Sequence, residues 1–218
     1  MSAESGRYVP AAGRDWLTSI YDPVLRLTTR EREFKRRLIE QAALEEGMDV
    51  LDLGCGTGTL AVWAKQRVPG ANVVGLDGDP KVLERAERKA TEAQCSIEFD
   101  RGMSYELPYP DAGFDRVLST LLFHHLVPAD KRRTIAEVRR VLKPGGELHV
   151  ADFGAPKNPL MRALSLPVQL LDGFENTRDN FTGRLPAMLS EGGFEEIAVR
   201  GQMSTMYGTL AFYSACKT

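Results

Sequence analysis

The chain has 218 residues, 43% hydrophobic and 27% charged, which suffices for one large globular domain. Its 28 basic and 30 acidic residues leave a net charge of −2, so no global positive field attracts nucleic acid or an anionic membrane. Three cysteines without a CxxC pair argue against a zinc knuckle or a complete disulfide framework and fit a reducing, cytoplasmic setting, and no apolar run is long enough to span a bilayer.

The first 27 residues lack clear periodicity yet carry Tyr8, Trp16 and Tyr21, too many large aromatics for a solvated tail, so they are expected to dock on the protein. Thr28 and Glu31 have the spacing of a capping box, and Phe34, Leu38 and Ala42 recur on one face, which predicts a helix over 30–46. Lys35, Arg36 and Arg37 interrupt that stripe and read as its solvated side.

From Met48 onward, short apolar runs alternate with helical segments. Strands are expected at 50–53, 72–76, 95–99, 116–119 and 148–151, and helices at 59–67, 80–93 and 128–142, with a loop after Phe99. Pro80 suits a helix start, and Lys143-Pro144-Gly145-Gly146 suits a helix end. Such alternation implies an α/β fold with a parallel sheet covered on both faces. Residues 155–190 break the rhythm with four prolines and read as an insertion over the sheet, containing a helix interrupted near Pro167. Two closing strands, 194–200 and 209–215, follow.

The stretch Val50 to Gly58, VLDLGCGTG, ends a strand in alternating glycines and opens a helix. Glycine lets the backbone approach a ligand, and the helix start offers unpaired N–H groups, so a nucleotide-type pocket is expected. The spacing departs from the dinucleotide fingerprint, whose third glycine would fall at Thr59, and no Gly-Lys-Ser/Thr follows. Asp77 stands at the tip of the second strand, where an acid can accept both hydroxyls of a ribose; as a plain alternative it is an acid at a helix start.

With VLDLGCGTG, VVGLDGDP, GMSYELPYPDAGFDRVLSTLLFHHL and EVRRVLKPGGELHVADF in that order, residues 48–153 resemble the class I S-adenosylmethionine-dependent methyltransferases, in the group of the ubiquinone and menaquinone C-methyltransferases. The resemblance implies a Rossmann-like, seven-stranded, mostly parallel sheet whose last strand is antiparallel. It implies S-adenosyl-L-methionine as cofactor, with Gly54, Cys55, Gly56 and Gly58 forming the turn beneath its methionine part and Asp52 bracing that turn. Asp77 would take the ribose hydroxyls and Gly78 would face the adenine, while Ser119, Thr120 and Leu121 would approach the amino and sulfonium region. Two departures stand out: Met103 occupies the place where relatives carry an adenine-reading acid, leaving Ser104 as a partial substitute, and Gly78 replaces a larger apolar residue.

His124 and His125 are the candidate proton acceptors, since an imidazole can deprotonate an acceptor near neutral pH. Adjacent residues of a strand point to opposite sides, so one would face the core, and with no third ligand close in sequence no metal is expected. Tyr8, Tyr21 and Asp152 are the candidate acceptor contacts. The strand end Ser-Thr-Leu-Leu lacks the Asn/Asp-Pro-Pro-Tyr motif of amino-directed nucleic-acid enzymes, and the basic residues of 131–140 share a helix with an apolar face, which favours a small-molecule acceptor without nucleic acid.

The reading is one domain: an N-terminal lid and helix (1–46), a cofactor-binding core (48–153) and an acceptor-side insertion (155–190), transferring a methyl group by in-line displacement. Its rivals are a non-catalytic cofactor-binding module that serves a partner protein and a nicotinamide-dependent reductase.

Overall fold

A computed structural model describes residues 30–218. The first helix, α1 (Glu31–Ala42), is shorter than its periodicity predicts, because Ala43 turns into the left-handed region at φ 45° and ends it. Thr28 lies outside the described residues. Glu31 is engaged with Lys35 Nζ at 2.6 Å, so Glu31 joins an ion pair one turn on. The expected solvated face is also corrected: Lys35 is buried, and the Arg37 guanidinium lies over the Phe212 ring at 4.4 Å.

The alternating unit follows as β1 (Asp49–Leu53), α2 (Thr59–Arg67), β2 (Asn72–Asp77), α3 (Pro80–Glu92), β3 (Glu98–Arg101), β4 (Phe114–Thr120), α4 (Pro128–Val141) and β5 (Leu142–Phe153). A 3-10 turn, Phe123–His125, links β4 to α4. Several boundaries shift from expectation: the fourth strand already begins at Phe114, and the sixth runs on to Thr205. The third strand starts at Glu98, three residues later than the Cys95 read from the sequence. The fifth begins at Leu142 and runs through the Pro-Gly-Gly segment, with a register irregularity against Phe114 and Arg116.

The sheet order is β3-β2-β1-β4-β5-β7-β6, where β6 (Glu195–Thr205) and β7 (Gly208–Cys216) close the edge. Neighbours from β3 to β5 pair in parallel, and β7 is antiparallel to both β5 and β6. Successive strand residues feed opposite layers, as the two-residue period requires. Leu51, Val117 and Val150 pack with Ile135 and Val138 of α4, whereas Val50, Leu118 and Ala151 pack with Phe34 and Leu38 of α1 and Leu60 of α2.

Residues 155–190 fold into four short helices, α5 (Pro159–Leu164), α6 (Leu166–Asp172), α7 (Phe174–Phe181) and α8 (Leu185–Glu191), the last reaching 191. The expected interruption is real but falls at Ser165, with Pro167 inside the first turn of α6, where its missing N–H costs nothing. Among the described residues, no helix is long and apolar enough to cross a membrane.

Candidate active site

The chain leaves β3 and resumes at β4 on the far side of β1, so the carboxyl ends of β1 and β4 flank a crevice at a topological switch point, the usual ligand site of open α/β sheets. Three glycines after Leu53 adopt left-handed conformations: Gly54 at φ 70°, Gly56 at 52° and Gly58 at 69°. The N–H groups of Gly54 and Cys55 both donate to Leu76 O, at 2.8 and 3.0 Å, folding the loop over the end of β2. A Cβ at Gly58 would meet Ala86 Cβ at 2.8 Å, and one at Gly54 would meet Leu122 at 3.1 Å. At Gly56 a Cβ would meet nothing within 4 Å, so this glycine faces open space.

Two aspartates hold the loop. The Oδ2 atom of buried Asp52 accepts from Ala61 N–H at 3.0 Å, while its Oδ1 has no hydrogen-bond partner. Burial pushes its pKa up to about 7, against the pull of Lys35 and the Ala61 N–H. Asp77 Oδ2 accepts from Gly56 N–H at 2.9 Å, and Oδ1 from Asp79 N–H at 3.0 Å. Burial raises the Asp77 pKa, offset by those same N–H groups. Each oxygen of Asp77 keeps a lone pair, so the carboxylate can still accept a vicinal diol. Burial, with Asp52 and Asp77 nearby, drives the Cys55 thiol upward, so it stays protonated.

Beside the loop, Ser119 is fully buried and donates its hydroxyl to Leu53 O at 3.1 Å, so it fastens the two strand ends. Thr120 and Leu121 are partly exposed, and Leu121 takes φ 54°, an unusual conformation for a branched side chain and a mark of local strain. Ser104 is buried and shares a hydrogen bond with Thr134 Oγ1 at 2.9 Å. Met103 and Gly78 are partly exposed. Asp100 accepts from the Tyr109 hydroxyl at 2.9 Å.

The histidine pair departs most from expectation. It sits on the 3-10 turn, where both rings lie on one side with centroids 4.0 Å apart. His124 is buried and its Nδ1 is 2.7 Å from Asp152 Oδ1. Asp152, expected to touch the acceptor, is fully buried and also accepts from the N–H groups of Phe123 and Phe153, each at 2.7 Å. It is therefore a pedestal beneath His124. Although burial opposes it, the nearby His124 holds Asp152 below the usual carboxylate range. Asp172, which no sequence signal marked, closes the group: its Oδ1 is 3.3 Å from His125 Nδ1 and its Oδ2 is 3.7 Å from His124 Nε2. Burial and the neighbouring His124 lower the His125 pKa, and its side chain remains about one-third exposed at 34%. Tyr8 and Tyr21 lie outside the described residues. The insertion also forms a half-open pocket of about 210 Å³ lined in part by Arg162, Gln169, Arg178 and Phe181, which shares no residue with the glycine loop or the histidine turn.

Residues 50–146 match the protein family described as Methyltransferase domain. The match runs from the first strand through the glycine loop and Asp77 to the Pro-Gly-Gly segment of the fifth strand. Demethylmenaquinone methyltransferase of Deinococcus radiodurans is 38% identical over 134 residues, which cover 62% of this chain and 55% of that protein. The enzyme of the same name from Thermus thermophilus is 38% identical over 138 residues, 62% of each chain. The chain thus spans little more than half the length of these relatives. Among solved structures, the YcgJ protein of Bacillus subtilis superposes with a TM-score of 0.67 at 25% identity, covering 79% of this chain and 72% of that one. Phosphoethanolamine N-methyltransferase 2 of Haemonchus contortus, solved with phosphomonomethylethanolamine and S-adenosylhomocysteine, gives 0.69 at 16% identity, covering 85% and 52%, and shares the methyltransferase fold. The domain match leaves the reductase alternative without support.

Proposed function

We propose that the protein transfers the methyl group of S-adenosylmethionine to a small-molecule acceptor placed against His125. The observation that carries this reading is the joint between Asp77 and Gly56, which sets a diol-accepting carboxylate beside a glycine that faces open space. Gly54, Cys55, Gly56 and Gly58 would hold the cofactor through their backbone, Asp77 through its ribose hydroxyls, and Gly78, Met103, Thr120 and Leu121 through contact. When bound, the cofactor supplies a methyl group already activated by its sulfonium.

The protein therefore has mainly to hold the acceptor atom in line and keep water out, an orientation effect of several kcal/mol. Asp152 accepts the Nδ1 hydrogen of His124 and keeps that ring fixed, so His124 is a positioning residue. His125 can receive the acceptor's proton as methyl transfer proceeds, because its lowered pKa leaves it neutral near pH 7. A small acceptor agrees with the relatives being demethylmenaquinone methyltransferases, and the three free cysteines suit action in a reducing compartment.

The test is incubation of purified protein and S-adenosylmethionine with a metabolite extract, followed by mass spectrometry. S-adenosylhomocysteine released together with an acceptor one CH2 heavier is the expected result. Tight cofactor binding without turnover on any acceptor would instead mark a non-catalytic cofactor-binding module.

A further inference from the structure

We propose that His124 Nε2, His125 Nδ1 and a carboxylate oxygen of Asp172 form a binding site for one divalent first-row cation of the zinc or cobalt type.

The argument starts from hydrogen inventory. Asp152 already accepts two backbone N–H groups, and a carboxylate has nothing to donate, so the hydrogen in the 2.7 Å contact with His124 sits on Nδ1. The Nε2 atom faces Asp172 Oδ2 at 3.7 Å, too long for a hydrogen bond. A proton on Nε2 or a bound cation would each place positive charge between them, and the 3.7 Å gap suits the cation. On the other side, His125 Nδ1 stands 3.3 Å from Asp172 Oδ1.

The spacing fits a metal. Tetrahedral ligands at about 2.0–2.1 Å from a zinc ion lie roughly 3.3–3.5 Å from one another. One ligand atom from each residue falls within 4.8 Å of the other two, and the Asp172 carboxylate straddles the imidazoles, with Oδ1 3.3 Å from His125 Nδ1 and Oδ2 3.7 Å from His124 Nε2. Two imidazoles with one carboxylate suit zinc, cobalt or iron(II) better than magnesium or calcium, which prefer oxygen. The Asp152–His124 bond supplies the outer carboxylate that metal-bound histidines usually carry. The Phe153 ring, 4.9 Å from His124 and edge-on, shields the buried side, while the partial exposure of His125 leaves a fourth position open to solvent.

A cation there would take the Nδ1 lone pair of His125, so His125 serves as proton acceptor only in the metal-free chain. The bound cation would instead draw an acceptor oxygen and lower its pKa, so the acceptor class is a hydroxyl or phenol able to ligate a metal. This last step rests on the function proposed above; the metal site itself does not.

The probe is cobalt(II), titrated into the full chain without cofactor or acceptor and followed by visible absorption, with zinc as competitor. One equivalent with ligand-field bands, displaced by zinc, is expected. Asp172→Asn and His125→Asn should abolish the bands. Asp152→Asn, which touches no metal, should weaken binding about 10–100-fold. His149→Gln, which removes the one remaining histidine, should leave the bands unchanged, and circular dichroism verifies that each variant is folded. Absence of bands from the folded parent chain, or their survival in both ligand variants, overturns the site. Cobalt binding with no methyl transfer would overturn the proposed function and leave the site standing, whereas methyl transfer with no cobalt bands would do the reverse.

Discussion

Asp77 at the end of β2 holds the N–H of Gly56 at 2.9 Å, so the residue expected to accept the ribose also fixes the loop expected to carry the methionine part. Sheet pairing brings them together: Leu53 stands opposite Leu76 in register, and each strand then yields its next residues to the crevice. A change at Asp77 is therefore expected to reach both halves of a bound cofactor.

Asp77→Asn keeps one acceptor oxygen and replaces the other with an amide donor. Cofactor affinity should fall by about 1.5–3 kcal/mol, roughly tenfold to hundredfold, with a smaller loss of folding stability. Calorimetry with S-adenosylhomocysteine measures the first and denaturant titration the second. Unchanged affinity would remove Asp77 from the site.

Gly56 and Gly58 separate ligand contact from packing. Gly58→Ala drives a Cβ onto Ala86 at 2.8 Å in a left-handed conformation, and should cost about 2–5 kcal/mol of stability. Gly56→Ala meets no protein atom within 4 Å, so it should cost only the conformational strain of about 1–2 kcal/mol while blocking cofactor binding. Gly47→Ala, at φ 82° and equally open, is the control: similar strain, unchanged affinity. If Gly56→Ala binds like that control, the open face of Gly56 is not the cofactor's.

The glycine loop, the parallel strands and Asp77 were legible because each rests on a local rule: a two-residue period, a glycine spacing, an acid at a strand tip. Helix α8 carries Leu185, Met188 and Leu189 on one buried face, a signal present in the sequence but masked by the prolines around it. In α7 the buried residues include Thr177, Asp179 and Asn180, so no apolar stripe announced a helix there. Asp172 was beyond local reading, since its partners lie 47 and 48 positions earlier and meet it only because α6 ends above the 3-10 turn. The turn also overturned the strand-based expectation that the two histidines would diverge.

His149 gives a pH prediction away from the site. It is buried at 1% exposure, with Nδ1 3.1 Å from Gln41 Nε2, and Nε2 3.0 Å from Glu147 Oε2 in an alignment too poor for a hydrogen bond. Burial, with Arg116 and Arg200 nearby, pushes its pKa from 6.5 down to about 3. Between those values the unfolded chain takes up a proton that the native protein refuses, so stability is held above pH 6.5 and lost as the pH falls. Going from pH 7 to pH 5 should cost the parent chain about 2 kcal/mol more than His149→Gln. Denaturant titrations at the two pH values test this, and parallel losses in the two proteins would mean that native His149 takes up a proton as readily as the unfolded chain does.

Lys131 fastens the insertion to the core. It is fully buried on α4, and its Nζ donates to Asn176 O at 2.5 Å and lies 3.7 Å from Asp179 Oδ2, both on α7. Burial lowers its pKa, with Asp179 and Asp152 pulling the other way. Lys131→Met keeps the apolar stem but leaves the Asn176 carbonyl unpaired and Asp179 with only the half-exposed Arg184, 3.7 Å from its Oδ1, at a cost of about 3 kcal/mol. Asp179→Asn on that background should return part of the loss, because the poorly compensated charge goes with it. Since α7 packs on the Phe123–His125 turn, the single variant should also speed amide exchange in Phe174–Phe181 well before the sheet opens. Uniform exchange across α7 and the sheet, or an unchanged denaturation midpoint, would show that apolar packing rather than the Lys131 ammonium holds the insertion over the histidines.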